Sequence, residues 1–125
     1  STAAGAACVG EEMTVLITGD MSFSYDVNGL SSTYLSPRFK IIVMCNGGGG
    51  IFRFIKPTSD LPELETCFEI HRDISVEKYA DLFGLRYFEL NDEKSAAEVL
   101  SLFLFKQSNS FHLLLFLLLL ATHKK

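Results

Sequence analysis

Two oxygen-bearing side chains stand where chemistry could be done. Asp20 follows Gly19 at the end of the apolar run 13–18, and Asn46 follows Cys45 at the end of the apolar run 39–45. Runs of this kind, rich in β-branched residues and stopped abruptly by turn residues, read as buried parallel strands. Ligands of an open parallel sheet gather outside the carboxyl ends of its strands, so Asp20 and Asn46 are expected to converge there. A hard cation such as Mg²⁺ takes oxygen ligands and leaves part of its octahedron to water and substrate phosphate. Asp20, Asn46 and a carbonyl from glycines 47–50 would serve. Those glycines let the backbone come close to a ligand, and the amides where a helix opens near Ser22 suit an anion. The blander expectation is that Asp20 caps that helix and Asn46 only shapes a turn.

The elements that must position these residues follow from the same pattern. Phe23, Val27, Leu30 and Tyr34 recur at helical spacing, which predicts a helix over 22–34 that Pro37 closes, and hence a βαβ unit with the two strands. Residues 53–72, with Pro57 and Pro62, show no clean period and read as an excursion over the rim. Ser75 can cap a helix running to Phe83, with Gly84 stopping it, and 85–90 reads as a third strand. Asn91 or Asp92 then caps a helix in which Ala96, Val99, Leu100, Phe103 and Leu104 share a face. The sum is an α/β fold, a three-layer αβα domain on a mostly parallel sheet.

Composition removes several classes of function. Eleven Lys and Arg against fifteen Asp and Glu give a net charge of −4, without a basic cluster beyond Lys124 and Lys125, so a phosphate-gripping nucleic-acid surface is not expected. The glycines are followed by no Gly-Lys-Ser/Thr, and Phe52 stands where a G-x-G-x-x-G motif needs glycine. No Ser lies in G-x-S-x-G, and His71, His112 and His123 form no H-E-x-x-H, so they read as surface or packing residues. Cys8, Cys45 and Cys67 are odd in number and widely spaced, which reads as reduced thiols and a cytoplasmic setting. The run 111–121 is very apolar but about half the length that spans a bilayer, so no membrane span is expected; a buried strand or a foreign tail is.

Gly19-Asp20 at one strand end and Asn46 at the next, 26 positions after Asp20, resemble the thiamine-diphosphate signature, which begins Gly-Asp-Gly and ends Asn-Asn. Met21 and Cys45 depart from it. The flanks, 19–30 and 46–52, together with residues 1–5, look like the menaquinone-pathway branch of that superfamily. The resemblance covers residues 1 to about 55 closely, stays compatible to about 106 and ends past Ser108. It divides the chain into 1–108, a diphosphate-side cofactor-binding domain cut at its N-terminus, and 109–125, an atypical leucine-rich tail of non-native character.

What the resemblance implies is specific. Asp20, Asn46 and the carbonyl of Gly48 would hold Mg²⁺ or Mn²⁺. Gly19, Met21, Ser22 and Ile51 would join them around thiamine diphosphate, and Ile51 and Phe52 would lie beside the substrates. The packing alternative for that Ile-Phe pair stays open. Arg53 has no implied role and reads as a solvated rim charge, and no catalytic residue is assigned. The implied enzyme decarboxylates 2-oxoglutarate and adds the succinyl carbanion to isochorismate, in a homo-oligomer whose second subunit lends a pyrimidine-binding domain. The chain itself is expected to be inactive alone. Two alternatives stand: another thiamine-diphosphate decarboxylase or synthase, and a non-catalytic α/β binding module.

Overall fold

The computed structural model describes residues 1–69, 74–92, 94–105 and 112–117, the last by backbone alone. Four parallel strands form one sheet: β1 (Thr14–Gly19), β2 (Phe39–Cys45), β3 (Arg86–Leu90) and β4 (His112–Leu117), in the order β1-β2-β4-β3. Around it stand helices α1 (Thr2–Val9), α2 (Asp20–Tyr25), α3 (Val76–Leu82) and α4 (Ala96–Phe105), with shorter 3₁₀ and π turns between β1 and β2 and between β2 and α3. The α/β reading therefore holds, with every strand pair parallel.

Strand alternation sorts the core into two layers. Phe39, Ile41 and Val43 face one way and pack with Ala4 and Ala7 of α1, Phe23 of α2, and Val76 and Ala80 of α3. Ile42 and Phe88 face the other way and pack with Phe103 of α4. Both faces of β2 are thus largely covered, which is why its sequence is nearly continuous in apolar residues. Lys40 is the exception within that strand, and burial pulls its ammonium below its ordinary pKa.

The β1-α2-β2 unit forms as expected, but the helix is shorter than the apolar spacing predicts. α2 ends at Tyr25, and Val27–Ser31 continues as a 3₁₀ helix. Val27, Asn28 and Gly29 are poor helix formers, so a tighter turn carries the same apolar face onward. Helix α1 has no counterpart in the expectations: its alanines and glycine give no apolar stripe, yet Ala4 and Ala7 bury against the sheet.

At α4 the expected cap is displaced, since the helix begins at Ala96 and the Asp92 carboxylate accepts from the Lys94 amide in the turn before it, whereas at α3 the local signals were sufficient. The Ser75 hydroxyl accepts from the Lys78 amide, 3.4 Å away, at the start of α3. At its end Gly84 takes φ +65°, with the Gly84 and Leu85 amides donating to Asp81 and Ala80 carbonyls in a Schellman arrangement. The leucine-rich run supplies β4, paired with β2 on one side and β3 on the other. The strand joining the two halves of the sheet thus comes from within 109–125. Among the described residues no helix is long and apolar enough to cross a membrane.

Two consequences are measurable. Phe103 is fully buried, so Phe103→Ala should cost ~3–5 kcal/mol in denaturant unfolding, with α4 losing its anchor. Tyr87 packs against the core, and burial first, then Glu89 and Glu77, push its phenol up to about 12. The folded state keeps that proton where the unfolded chain, near 10, has lost it, so stability present below pH 10 drains away between pH 10 and about 12. Tyr87→Phe should remove this part of the alkaline slope in stability measured against pH.

Candidate functional site at the β1 and β2 tips

Gly19 pairs with Met44 at the last rung of the β1-β2 ladder, so Asp20 on one strand and Cys45 and Asn46 on the other follow that rung side by side, with Cys45 still paired to β4. Asp20 is 5% exposed. Its Oδ1 accepts from the Met21 amide at 2.7 Å. Its Oδ2 reaches across to the other strand and accepts from the amides of Asn46 at 3.2 Å and Gly47 at 3.0 Å. One carboxylate thereby closes the gap between two strand tips.

The turn it anchors is built from glycine for a reason. Gly47 takes φ 80° and Gly48 φ 150°, both in the region where a side chain is strained. The Asn46 Oδ1 accepts from the Gly48 amide at 3.1 Å, an Asx turn, and the Gly48 carbonyl accepts from the Gly50 amide at 2.9 Å. At Gly49 an added Cβ would lie 2.7 Å from the Phe68 carbonyl, so that position requires close backbone approach.

Each expected site residue can now be placed. Asp20, Asn46 and Gly48 fall within one hydrogen-bonded turn, although it is the Asn46 amide, not its side chain, that meets the carboxylate. The Met21 amide is taken by Asp20 itself. Gly19 closes the β1 ladder, and Ser22 is exposed and lines a mostly apolar cavity of about 240 Å³ with Ser1, Thr18, Asp26 and Leu30. Ile51 is 63% exposed, whereas Phe52 packs on Phe68 with ring centroids 5.5 Å apart. The packing alternative therefore describes Phe52 and not Ile51.

Arg53 is more than a solvated rim charge. Its Nη2 donates to Glu69 Oε2 at 2.5 Å and to Glu65 Oε1 at 3.2 Å, and Glu69 is buried. Those carboxylates hold the guanidinium proton more tightly than usual, Glu69 foremost. No local signal links residues 53 and 69. Of the histidines, His112 lies in the β4 backbone, and His71 and His123 fall outside the described residues.

Chemically the turn presents hard oxygens. The Asp20 carboxylate, the Asn46 side-chain oxygen and the Gly48 carbonyl each accept hydrogen bonds and each have lone-pair capacity for a further donor or a cation. This donor set suits Mg²⁺ or Mn²⁺ and not a soft metal. Cys45 does not alter that: burial first, then the Asp20 charge, raise its thiol to about 11, so it stays protonated at neutral pH. Among the described residues no group of three or more His, Cys, Asp or Glu could hold a metal, which leaves Asp20 the one charged member of this set.

The fold and this turn define a parallel α/β domain whose oxygen-bearing strand tips stand at the sheet's carboxyl edge. No protein-family model matches the chain. It is 47% identical over 103 residues to the 2-succinyl-5-enolpyruvyl-6-hydroxy-3-cyclohexene-1-carboxylate synthase of Porphyromonas gingivalis, and 42% and 41% identical over 102 residues to those of Flavobacterium johnsoniae and Flavobacterium psychrophilum. Over that stretch, 82% of its length, the chain belongs to the 2-succinyl-5-enolpyruvyl-6-hydroxy-3-cyclohexene-1-carboxylate synthase family. It spans 18% of the length of these relatives.

Thiol reactivity reads the tip directly. At pH 8 an alkylating reagent should modify the exposed Cys8 and Cys67 readily and spare Cys45, with mass spectrometry of the intact chain stopping at two additions. Rapid modification of Cys45 in the folded chain would contradict its placement.

Proposed function

We propose that this chain forms the metal and diphosphate end of a thiamine-diphosphate site in an enzyme of menaquinone biosynthesis. Asp20, Asn46 and the Gly48 carbonyl would hold Mg²⁺ or Mn²⁺, with Gly19, Met21 and Ser22 beside the diphosphate. The observation that carries the reading is the Asp20 carboxylate, buried at the strand tips and bonded to the amides of Asn46 and Gly47. Support also comes from its setting within a stretch 47% identical to a synthase of this pathway.

The chemistry expected of the bound coenzyme is carbanion stabilisation, through which 2-oxoglutarate would lose CO₂ and its succinyl unit would add to isochorismate. This chain's residues do something simpler. The aspartate supplies one negative charge against the cation, and its fixed hydrogen bonds hold it oriented before a ligand arrives. Glycines at positive φ, where a side-chain-bearing residue would be strained, keep side chains away, so that backbone oxygen can take part. Ile51, exposed beside the turn, offers apolar surface to the substrates, and Phe52 shapes that surface from beneath.

The same reading makes the chain one contributor to a larger site. The pyrimidine end of the coenzyme would be held by a second subunit in a homo-oligomer, in the cytoplasm, and the chain alone would turn over no 2-oxoglutarate. Residues 1–108 would be the binding unit.

A second reading has an observation of its own. Both Asp20 oxygens already accept backbone amides, as they would in a non-catalytic module where the carboxylate is only a staple. Calorimetry separates the two. In the longer protein carrying this segment, Asp20→Ala should weaken Mg²⁺-dependent thiamine diphosphate binding by at least about 10–100-fold. Unaltered affinity in a folded Asp20→Ala variant would leave only the staple.

A further inference from the structure

The two faces of the sheet are covered unequally. Helices α1, α2 and α3 all pack on the face that carries Leu16, Ile41 and Val43. Among the described residues α4 is the helix on the other face, where it packs with Ile42, Phe88 and Leu90. A helix about 10 Å across covers about two strands spaced about 4.8 Å apart, so one helix closes about half of a four-stranded face. The half left over includes β1. Ile17 lies beside Ile42 in register yet is 66% exposed, Val15 is 39% exposed, and neither joins the cluster under α4.

The edges differ in the same sense. β1 and β3 are the outermost strands of the described sheet. A sheet edge that meets water is guarded by charge, proline or a bulge. β3 has such a guard in the exposed Arg86 and Glu89, whereas Thr14–Gly19 carries neither charge nor proline. A parallel strand with apolar side chains bare on one face and an unguarded edge has the composition of an interior strand. The family proteins have the length to cover it, since the chain spans 18% of theirs. We infer that the Val15 and Ile17 face of β1 is a docking surface for a helix of the longer family protein, laid beside α4 with an apolar stripe toward the sheet. β1 offers that helix no charged partner, so a charge buried against it would be desolvated without compensation from the strand. The inference rests on membership of the family and not on the metal reading.

Alkylation of Ile17→Cys in a Cys8→Ser background, read by mass spectrometry of the peptide that contains position 17, tests the inference. In this chain alone the new thiol should react within about threefold of its rate in urea. In the longer protein carrying this segment it should react at least about tenfold more slowly than in the chain alone. Hydrogen exchange of the unsubstituted proteins guards against a variant that fails to fold: the peptide spanning β1 should gain about tenfold or more in protection, relative to β2, on passing from the chain alone to the longer protein. Equal reactivity at position 17 in the two proteins, with no relative gain in β1 protection, overturns the inference. So does protection in the chain alone that grows over an about hundredfold rise in its concentration, which would assign the face to a second copy.

Discussion

The organisation of the sheet edge depends on one carboxylate accepting from backbone. Parallel strands end with unpaired amides, and two adjacent tips would splay or hydrate unless something bridged them. Asp20 does so from the first turn of α2, joining its own Met21 amide to those of Asn46 and Gly47. A negative charge also sits favourably at a helix start. The same atoms that stitch the fold are the ones presented at its carboxyl edge, so the stapling role does not by itself exclude a ligand role for Asp20. A staple whose lone pairs are incompletely used would already be oriented for a cation under the reading proposed above.

How much of this was legible in the sequence varies with the range of the forces involved. Strand β2 was readable because burial on two faces writes itself as a nearly uninterrupted apolar run, whereas β1, with Val15 and Ile17 exposed, and β3, with Arg86 and Glu89 among its residues, were readable from the turn residues that bound them. The caps of α3 were readable because Ser75 and Gly84 act within four residues of themselves. Helix α1 was invisible, since alanine and glycine bury without an apolar period. The spacing of Phe23, Val27 and Leu30 was right about the face and wrong about the pitch.

The rim between β2 and α3 resisted reading for a different reason. Its turns Gly50–Arg53, Thr58–Asp60 and Leu64–Phe68 are short and irregular, and the contacts that join the first to the last, the Phe52–Phe68 rings and the pairing of Arg53 with Glu65 and Glu69, link residues 12 to 16 apart. A lone Arg after an Ile-Phe pair carries no sign of a distant buried partner. At the tip itself the positions of Asp20 and Asn46 were legible, but not the division of labour between them. Backbone amides meet the carboxylate, and the asparagine side chain turns back to shape the glycines.

Strand order adds the last constraint on the site. A sheet ordered β1-β2-β4-β3 puts the Asp20 and Asn46 tips on its two first strands, with β4 flanking β2 on the far side. β2 is therefore paired along both edges, and its end cannot shift without disturbing two ladders. A turn that must offer several oxygens in fixed relation gains most from being mounted on such a strand. The flexibility that the glycines introduce is confined between β2, which is anchored on both sides, and the Phe68 contact. The turn can be sterically open to a ligand and still keep its shape.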